Sequence, residues 1–263
     1  MQAQRVFDLP HYRFLNQARE ALFREVLRTW KEEMELQTAL DAGCGLGHFS
    51  GILQELGFQP VAFDGRPENI EEASRRFPGI EFRVADLEDR SVKELGSFDL
   101  VLCLGLLYHL ENPFRCIRNL CRLTSKLLVI ESMCLDGDGP TLCLRDEGPT
   151  EDQGLQHIAF YPTEACLAKM LYRAGFRHVY RFAKLPSHPQ FRAARSRRRM
   201  RTLLTASFVP IQTSVLALLP EPMDATDPWA TTWGDLKEAS QRLINFVVKP
   251  WPEKVATLRR RLG

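Results

Sequence analysis

Three glycines in one short run, Asp41-Ala42-Gly43-Cys44-Gly45-Leu46-Gly47-His48, limit the folds open to this chain more than any other feature. The run lies between a strand-like stretch, Thr38–Asp41, and a helix-like one, His48–Leu56, which Gly57 stops. Glycine at such a junction allows a tight turn and lets backbone come close to a ligand, with the helix N-terminus and its N–H groups turned toward it. Strand-like and helix-like segments keep alternating beyond it: Pro60–Asp64, a helix opening at Pro67, Glu81–Val84 and Phe98–Leu104. That alternation means βαβ units around a parallel sheet.

Ahead of the first strand, Phe14, Leu15, Ala18, Leu22, Val26 and Trp30 recur at helical spacing. His11–Glu33 is therefore predicted as an amphipathic helix on the sheet or over the ligand. Asn112-Pro113 starts another helix, an N-cap side chain followed by proline at the first helical position, running through Phe114–Leu123. Lys126–Glu131 returns to the sheet. Ser132–Tyr161 is rich in Gly, Pro, Asp and Glu with little periodicity, and reads as a substrate-side lid loop over about 132–161. Thr163–Ala174 is a capped helix ended by Gly175, and Arg177–Phe182 and Thr202–Val209 are two further strands.

The expected architecture is a doubly wound α/β fold: a mostly parallel seven-stranded sheet with helices on both faces, an N-terminal helix and a C-terminal helical extension. In domain terms, 1–35 is an N-terminal helical cap, 36–212 the main domain and 213–263 the extension. The extension holds three of the four tryptophans and an amphipathic helix, Trp233–Val248, with Leu236, Ala239, Leu243 and Phe246 on one face.

Composition excludes several classes. With 263 residues, 44% hydrophobic and 26% charged, the chain can bury a substantial core and is far from a disordered composition. The N-terminus lacks the apolar core of a secretory signal. The longest apolar stretch, Leu100–Tyr108, falls well short of the roughly 20 residues that span a bilayer. The expectation is a cytoplasmic protein with no membrane contact. Seven cysteines, an odd number without Cys-x-x-Cys spacing, read as free thiols rather than a disulfide framework or zinc site. Asp136, Asp138, Asp146, Glu147, Glu151 and Asp152 crowd one loop without a calcium-loop pattern, so the chemistry is expected to be metal-independent. A net charge of +2 neither requires nor excludes an anionic partner, and the oligomeric state is left open.

The glycine turn alone suits several adenosine cofactors. A dinucleotide fingerprint starting at Gly43 would want a small residue where His48 stands, which weakens a nicotinamide reading. Asp64 ends the second strand about 20 residues after Gly43, the placement of a carboxylate that accepts from ribose hydroxyls. Asp86-Leu87, just after the third strand, offers a carboxylate for an adenine amino group beside an apolar surface for its ring.

Taken in order, Leu40-Asp-Ala-Gly-Cys-Gly-Leu-Gly47, Val61-Ala-Phe-Asp64, Val84-Ala-Asp86-Leu87 and Phe98-Asp-Leu-Val-Leu-Cys-Leu-Gly-Leu-Leu-Tyr-His109 closely resemble the class I S-adenosylmethionine (SAM)-dependent methyltransferases, over about residues 36–183. The resemblance implies SAM as cofactor. It places Asp41, Gly43 and Gly45 along the methionine portion within a turn closed by Gly47. It puts Asp64 on the ribose, Asp86 and Leu87 at the adenine, and Leu104 beside the cofactor at the end of the fourth strand. The sheet would end in an antiparallel strand, which the C-terminal strand pair could supply.

Methyl transfer from a sulfonium is an in-line displacement, so the protein mainly positions a nucleophile and, for a hydroxyl, helps remove its proton. His109 follows the fourth strand in the crevice where open α/β sheets bind ligands, either as general base or as a structural histidine shaping the loop. Glu131, ending the fifth strand, and His157, which with Tyr161 closes the lid, are the other catalytic candidates. Arg192–Arg201 gathers six arginines, either a solvated loop or a phosphate-binding patch.

The stretches Gly105-Leu-Leu-Tyr-His-Leu-Glu-Asn-Pro113 and Tyr161-Pro-Thr163 resemble methyltransferases of small metabolites and also those of tRNA wobble uridines. The first reading is methylation of a small-molecule hydroxyl. The alternatives are a tRNA-modifying enzyme, with RNA held by the arginine cluster, and a non-catalytic SAM-binding regulatory subunit acting through the Trp-rich extension.

Overall fold

A computed structural model describes residues 6–147, 154–155, 157–192 and 199–222. The helix predicted at Trp233–Val248, and most of the predicted extension with it, lie outside the described residues.

After a 3₁₀ turn at Val6–Asp8, the chain enters α1, Pro10–Glu33, with proline at a first-turn position where its missing N–H costs nothing. Of the apolar stripe read from the sequence, Leu15, Leu22, Val26 and Trp30 are buried, together with Phe23 and Leu27, whereas Phe14 is exposed and Ala18 half-buried. Next come β1 (Thr38–Ala42), α2 (His48–Glu55), β2 (Gln59–Asp64), α3 (Pro67–Arg76), β3 (Glu81–Val84), β4 (Phe98–Leu104) and α4 (Pro113–Leu123). They are followed by β5 (Thr124–Leu135), β6 (Leu142–Asp146), β7 (Ile158–Pro162), α5 (Glu164–Ala174), β8 (His178–Phe182), β9 (Arg199–Ser207) and β10 (Leu216–Leu219).

The main sheet runs β10-β8-β9-β5-β4-β1-β2-β3. The five strands from β3 to β5 are parallel, and β9, β8 and β10 are antiparallel to their neighbours. Adjacent residues of β4 alternate between two cores. Val101 and Cys103 join Ile117, Leu120, Leu167 and Leu171 from α4 and α5. Leu100 and Leu102 join Phe23, Leu27, Phe49 and Leu53 from α1 and α2. This alternation of period two is what a strand covered on both faces requires, and it makes the fold doubly wound.

Two sequence expectations need correction. Among the described residues the sheet has eight strands rather than seven, because Leu216–Leu219, assigned to the extension, pairs with Val179–Phe182 along the open edge of β8. Its two central residues are exposed, so no inward-outward alternation marked it. The stretch read as a lid loop over 132–161 also contains strand. Its first residues, Ser132–Leu135, prolong β5 against β9, and β6 and β7 pair as a separate antiparallel hairpin. Most of β6 is exposed, and its stability comes from cross-strand pairing with β7, which no local pattern announces.

Candidate active site

The chain leaves β1 toward β2 on one side, while β4 lies on its other side, so a crevice opens between the carboxyl ends of β1 and β4. That switch point is where open α/β sheets hold ligands. The glycine turn and Leu104-Gly105 face each other across it.

The turn adopts left-handed conformations at Gly43 (φ 76°) and Gly45 (φ 53°). A Cβ at Gly43 would stand 2.8 Å from Leu106 Cδ2, and one at Gly45 would stand 3.3 Å from the Phe7 ring, so both conformation and space demand glycine. Gly47 caps the start of α2. The backbone donors of Gly43, Cys44 and Gly45 do not point into the crevice as the sequence suggested. Gly43 and Cys44 both donate to the Phe63 carbonyl at 2.9 Å, and Gly45 donates to Asp64 Oδ2 at 3.0 Å. Their partners are the end of β2, which locks the turn's shape.

Asp41, next to last in β1, is buried, with its Oδ2 accepting from Ser50 Oγ at 2.6 Å. Burial pushes its carboxyl up to about 6, against the opposing effect of the Ser50 hydrogen bonds. Asp64 accepts from Gly45 N, from Arg66 N at 2.9 Å and from Asn69 Nδ2 at 3.0 Å. A carboxylate offers about four acceptor positions, so Asp64 has capacity left for a hydroxyl. Asp86 accepts from Glu88 N at 2.8 Å, and Leu87 beside it is almost wholly buried. Asp64, Asp86, Leu87, Leu104 and Gly43 line one cavity together, with an acidic rim and an apolar floor that match the ribose and base of an adenosine. Phe7, Leu106, Gly154 and Leu155 also line it. The sequence did not point to these four, which come from the N-terminal turn, the loop after β4 and the hairpin connection.

A second cavity of about 340 Å³ lies alongside, sharing Gly43, Leu104, Gly105 and Phe7 and lined also by Asp41, Gly45, Arg19, Tyr108 and Arg201. Behind it Glu131, with no exposed surface, pairs with both arginines: Oε1 accepts from Arg201 Nη1 at 2.7 Å, and Oε2 accepts from Arg19 Nη2. Burial alone would raise the Glu131 carboxyl, but the two guanidiniums outweigh it and hold the group below the usual carboxylate range. A carboxylate so held is a weak base.

The three catalytic candidates are thus not brought together. Glu131 anchors arginines. His109 lines the adenosine-side cavity rather than the larger one; its Nδ1 lies against the Glu147 carboxylate, while its Nε2 is buried and has no hydrogen-bond partner among the described residues. His157 is exposed in the hairpin connection, with φ 57°, and lines neither cavity. The arginine cluster divides as well. Arg201 is an interior residue of the site, Arg192 is exposed, and Arg195, Arg197 and Arg198 lie outside the described residues.

Fold and crevice together define a doubly wound protein with an adenosine-type cavity at its switch point. A family model described as a methyltransferase domain matches residues 14–180, and the chain belongs to that family, the class I methyltransferases that its motifs resemble. The "Ubiquinone biosynthesis O-methyltransferase" of Xanthomonas oryzae pv. oryzae (strain PXO99A) is 39% identical over 90 residues, 32% of this chain and 37% of that protein's length. Two solved structures share the fold. The N-terminal domain of EvdMO1 with S-adenosylhomocysteine (SAH) bound has a TM-score of 0.58 at 22% identity, covering 70% of this chain and 80% of that one. Magnesium protoporphyrin IX methyltransferase (ChlM) from Synechocystis PCC 6803 with bound SAH has a TM-score of 0.52 at 18% identity, covering 79% and 89%. Among the described residues no helix is long and apolar enough to cross a membrane.

Proposed function

We propose that the chain is a SAM-dependent methyltransferase acting on a hydroxyl of a small molecule in the cytoplasm. The observation that carries the reading is the pair of adjoining cavities at the switch point, one built for an adenosine and the other opening from it at Gly105. SAM, when bound, supplies an electrophilic methyl group on a sulfonium. Asp64 would hold the ribose and Asp86 with Leu87 the adenine, while Asp41 and the turn through Gly43, Gly45 and Gly47 would hold the methionine portion. Leu104 and Gly105 would stand where the two cavities meet, so that an acceptor in the larger one lies in line with the methyl group.

The curated relatives are O-methyltransferases by name, which supports an oxygen acceptor here. The free thiols of all seven cysteines suit a reducing compartment. Catalysis on this reading comes mainly from positioning, with His109 holding the hairpin connection over the adenosine end rather than acting as base. The test is transfer of labelled methyl from SAM to a panel of hydroxylated aromatic and aliphatic compounds. Label in an ether product supports the reading, and label found only in transfer RNA would replace it.

A further inference from the structure

Two loops that line the adenosine cavity are fastened to each other by one carboxylate. The loop after β3 contributes Ala85, Asp86 and Leu87 to the lining, and the loop after β4 contributes Leu106, His109 and Leu110. Half-buried Glu88 joins them: Oε2 accepts from Glu111 N at 2.9 Å, and Oε1 accepts from Asn112 N and Asn112 Nδ2, both at 2.8 Å. Asn112 stands at the N-cap of α4, where a side chain ordinarily accepts from the helix's first N–H groups. It makes no such bond, and its amide goes to Glu88 instead. Asn119, buried in the same helix, donates through Nδ2 to the Leu87 carbonyl at 2.8 Å. The cap residue and a buried amide of α4 therefore both hold the loop that carries Asp86.

These bonds decide which atom of that loop reads a base. The Leu87 carbonyl is engaged by Asn119 and Asp86 Oδ1 by Glu88 N at 2.8 Å, while Asp86 Oδ2 has no hydrogen-bond partner among the described residues. A carboxylate oxygen accepts from an exocyclic amino group and repels a carbonyl oxygen in the same place. We propose that Glu88 is a positioning residue for base recognition. By tying the loop after β3 to the start of α4, it holds Asp86 Oδ2 at the amino group of adenine and makes the site select adenine over a 6-oxopurine. The proposal rests on the assignment of Asp86 to the adenine in the reading above. Glu88 meets Asp86 through its backbone N–H and α4 through its side chain, so freeing its carboxylate loosens Asp86 directly. A hydrogen bond weakens steeply once its angle opens, so a small shift of Asp86 is enough to lose the distinction.

The test uses the full chain, titrated calorimetrically with SAH and with S-inosylhomocysteine, in which an oxo group replaces the amino group of the base. SAH is expected to bind about tenfold tighter or more, the strength of a hydrogen bond to a charged group. Glu88→Ala is expected to cut that preference about threefold or more by weakening SAH, with the inosine analogue little changed. Asn112→Ala, which removes one of the bonds to Glu88, is expected to cut it about twofold. A merely structural Glu88 would lower the melting temperature and leave the preference at its unaltered value, and that result overturns the proposal. If Glu88→Ala does not fold, Asn112→Ala decides, and an unchanged preference there overturns it equally. Asp86→Asn checks the assignment beneath: an unaltered protein without preference, or an Asp86→Asn variant that keeps it, removes the role of Asp86 and the proposal with it. Failure of SAH itself to bind would instead remove the methyltransferase reading on which both stand.

Discussion

Glu131 on β5 and Arg201 on β9 are joined across neighbouring antiparallel strands by a 2.7 Å hydrogen bond with no solvent on the carboxylate. Arg19 reaches the same carboxylate from α1, so one buried glutamate ties the N-terminal helix to the sheet behind the larger cavity.

Removing that carboxylate leaves two buried guanidiniums without a counter-charge. Glu131→Gln should destabilise the fold by about 3–5 kcal/mol, measured by denaturant unfolding. The folded carboxyl titrates below the unfolded one, so its stabilisation is complete above about pH 5 and is lost as pH falls through the folded value. The variant should therefore show a flatter acid limb in its stability profile. An unchanged acid limb would mean that the triad carries no net stability.

Asp41 predicts the opposite kind of pH response. Burial raises its carboxyl to about 6, so it is largely neutral in mild acid and gains its charge as pH rises through that value. On the proposed function, an anion there would attract the ammonium of a bound methionine moiety. SAH affinity should tighten from about pH 5 to about pH 7, and Asp41→Asn should flatten the curve, as read by calorimetry. Ser50→Ala, which removes a hydrogen bond to the ionised form, should move the transition to higher pH.

Gly43→Ala meets both a left-handed backbone and the Leu106 side chain at 2.8 Å. The strained backbone alone costs about 1–2 kcal/mol. SAH binding should fall about tenfold or more, and adding Leu106→Ala should restore only part of it, because the space returns but the strain stays. Full restoration would show that crowding alone makes the glycine necessary.

His109 offers a choice between two roles with separable readouts. As a partner of Glu147, it would hold Gly154 beside the adenosine cavity, since Gly154 N donates to Glu147 Oε2 and Arg66 Nη2 donates to the Gly154 carbonyl. His109→Gln and Glu147→Gln should then both weaken SAH binding and speed amide exchange at residues 158–162. A collapse of turnover in His109→Gln alone, with SAH affinity intact, would restore it as a general base.

Much of this was readable from residue order. The glycine turn, Asp64 and Asp86 fall where strand ends place them, and the burial of α1 follows from its apolar period. The larger cavity was harder because its residues come together only through the sheet. Arg19 carried a readable signal: it sits on the stripe of Leu15, Leu22, Phe23 and Val26, where a charge needs a buried partner. Arg201 was hidden at the end of an arginine run, one residue ahead of the strand predicted at Thr202, and looked like loop. Hairpin and edge strands with exposed faces, β6 and β10, are set by pairing with distant segments, which leaves little trace in local sequence.

The proposed function requires an adenosine cofactor held by Asp64 at the switch point. Calorimetric titration with SAM and separately with NAD⁺, repeated with SAM on Asp64→Ala after confirming its melting transition, tests it most directly. Micromolar SAM binding, greatly weakened in the variant, and no NAD⁺ binding are expected. NAD⁺ binding without SAM binding would contradict it.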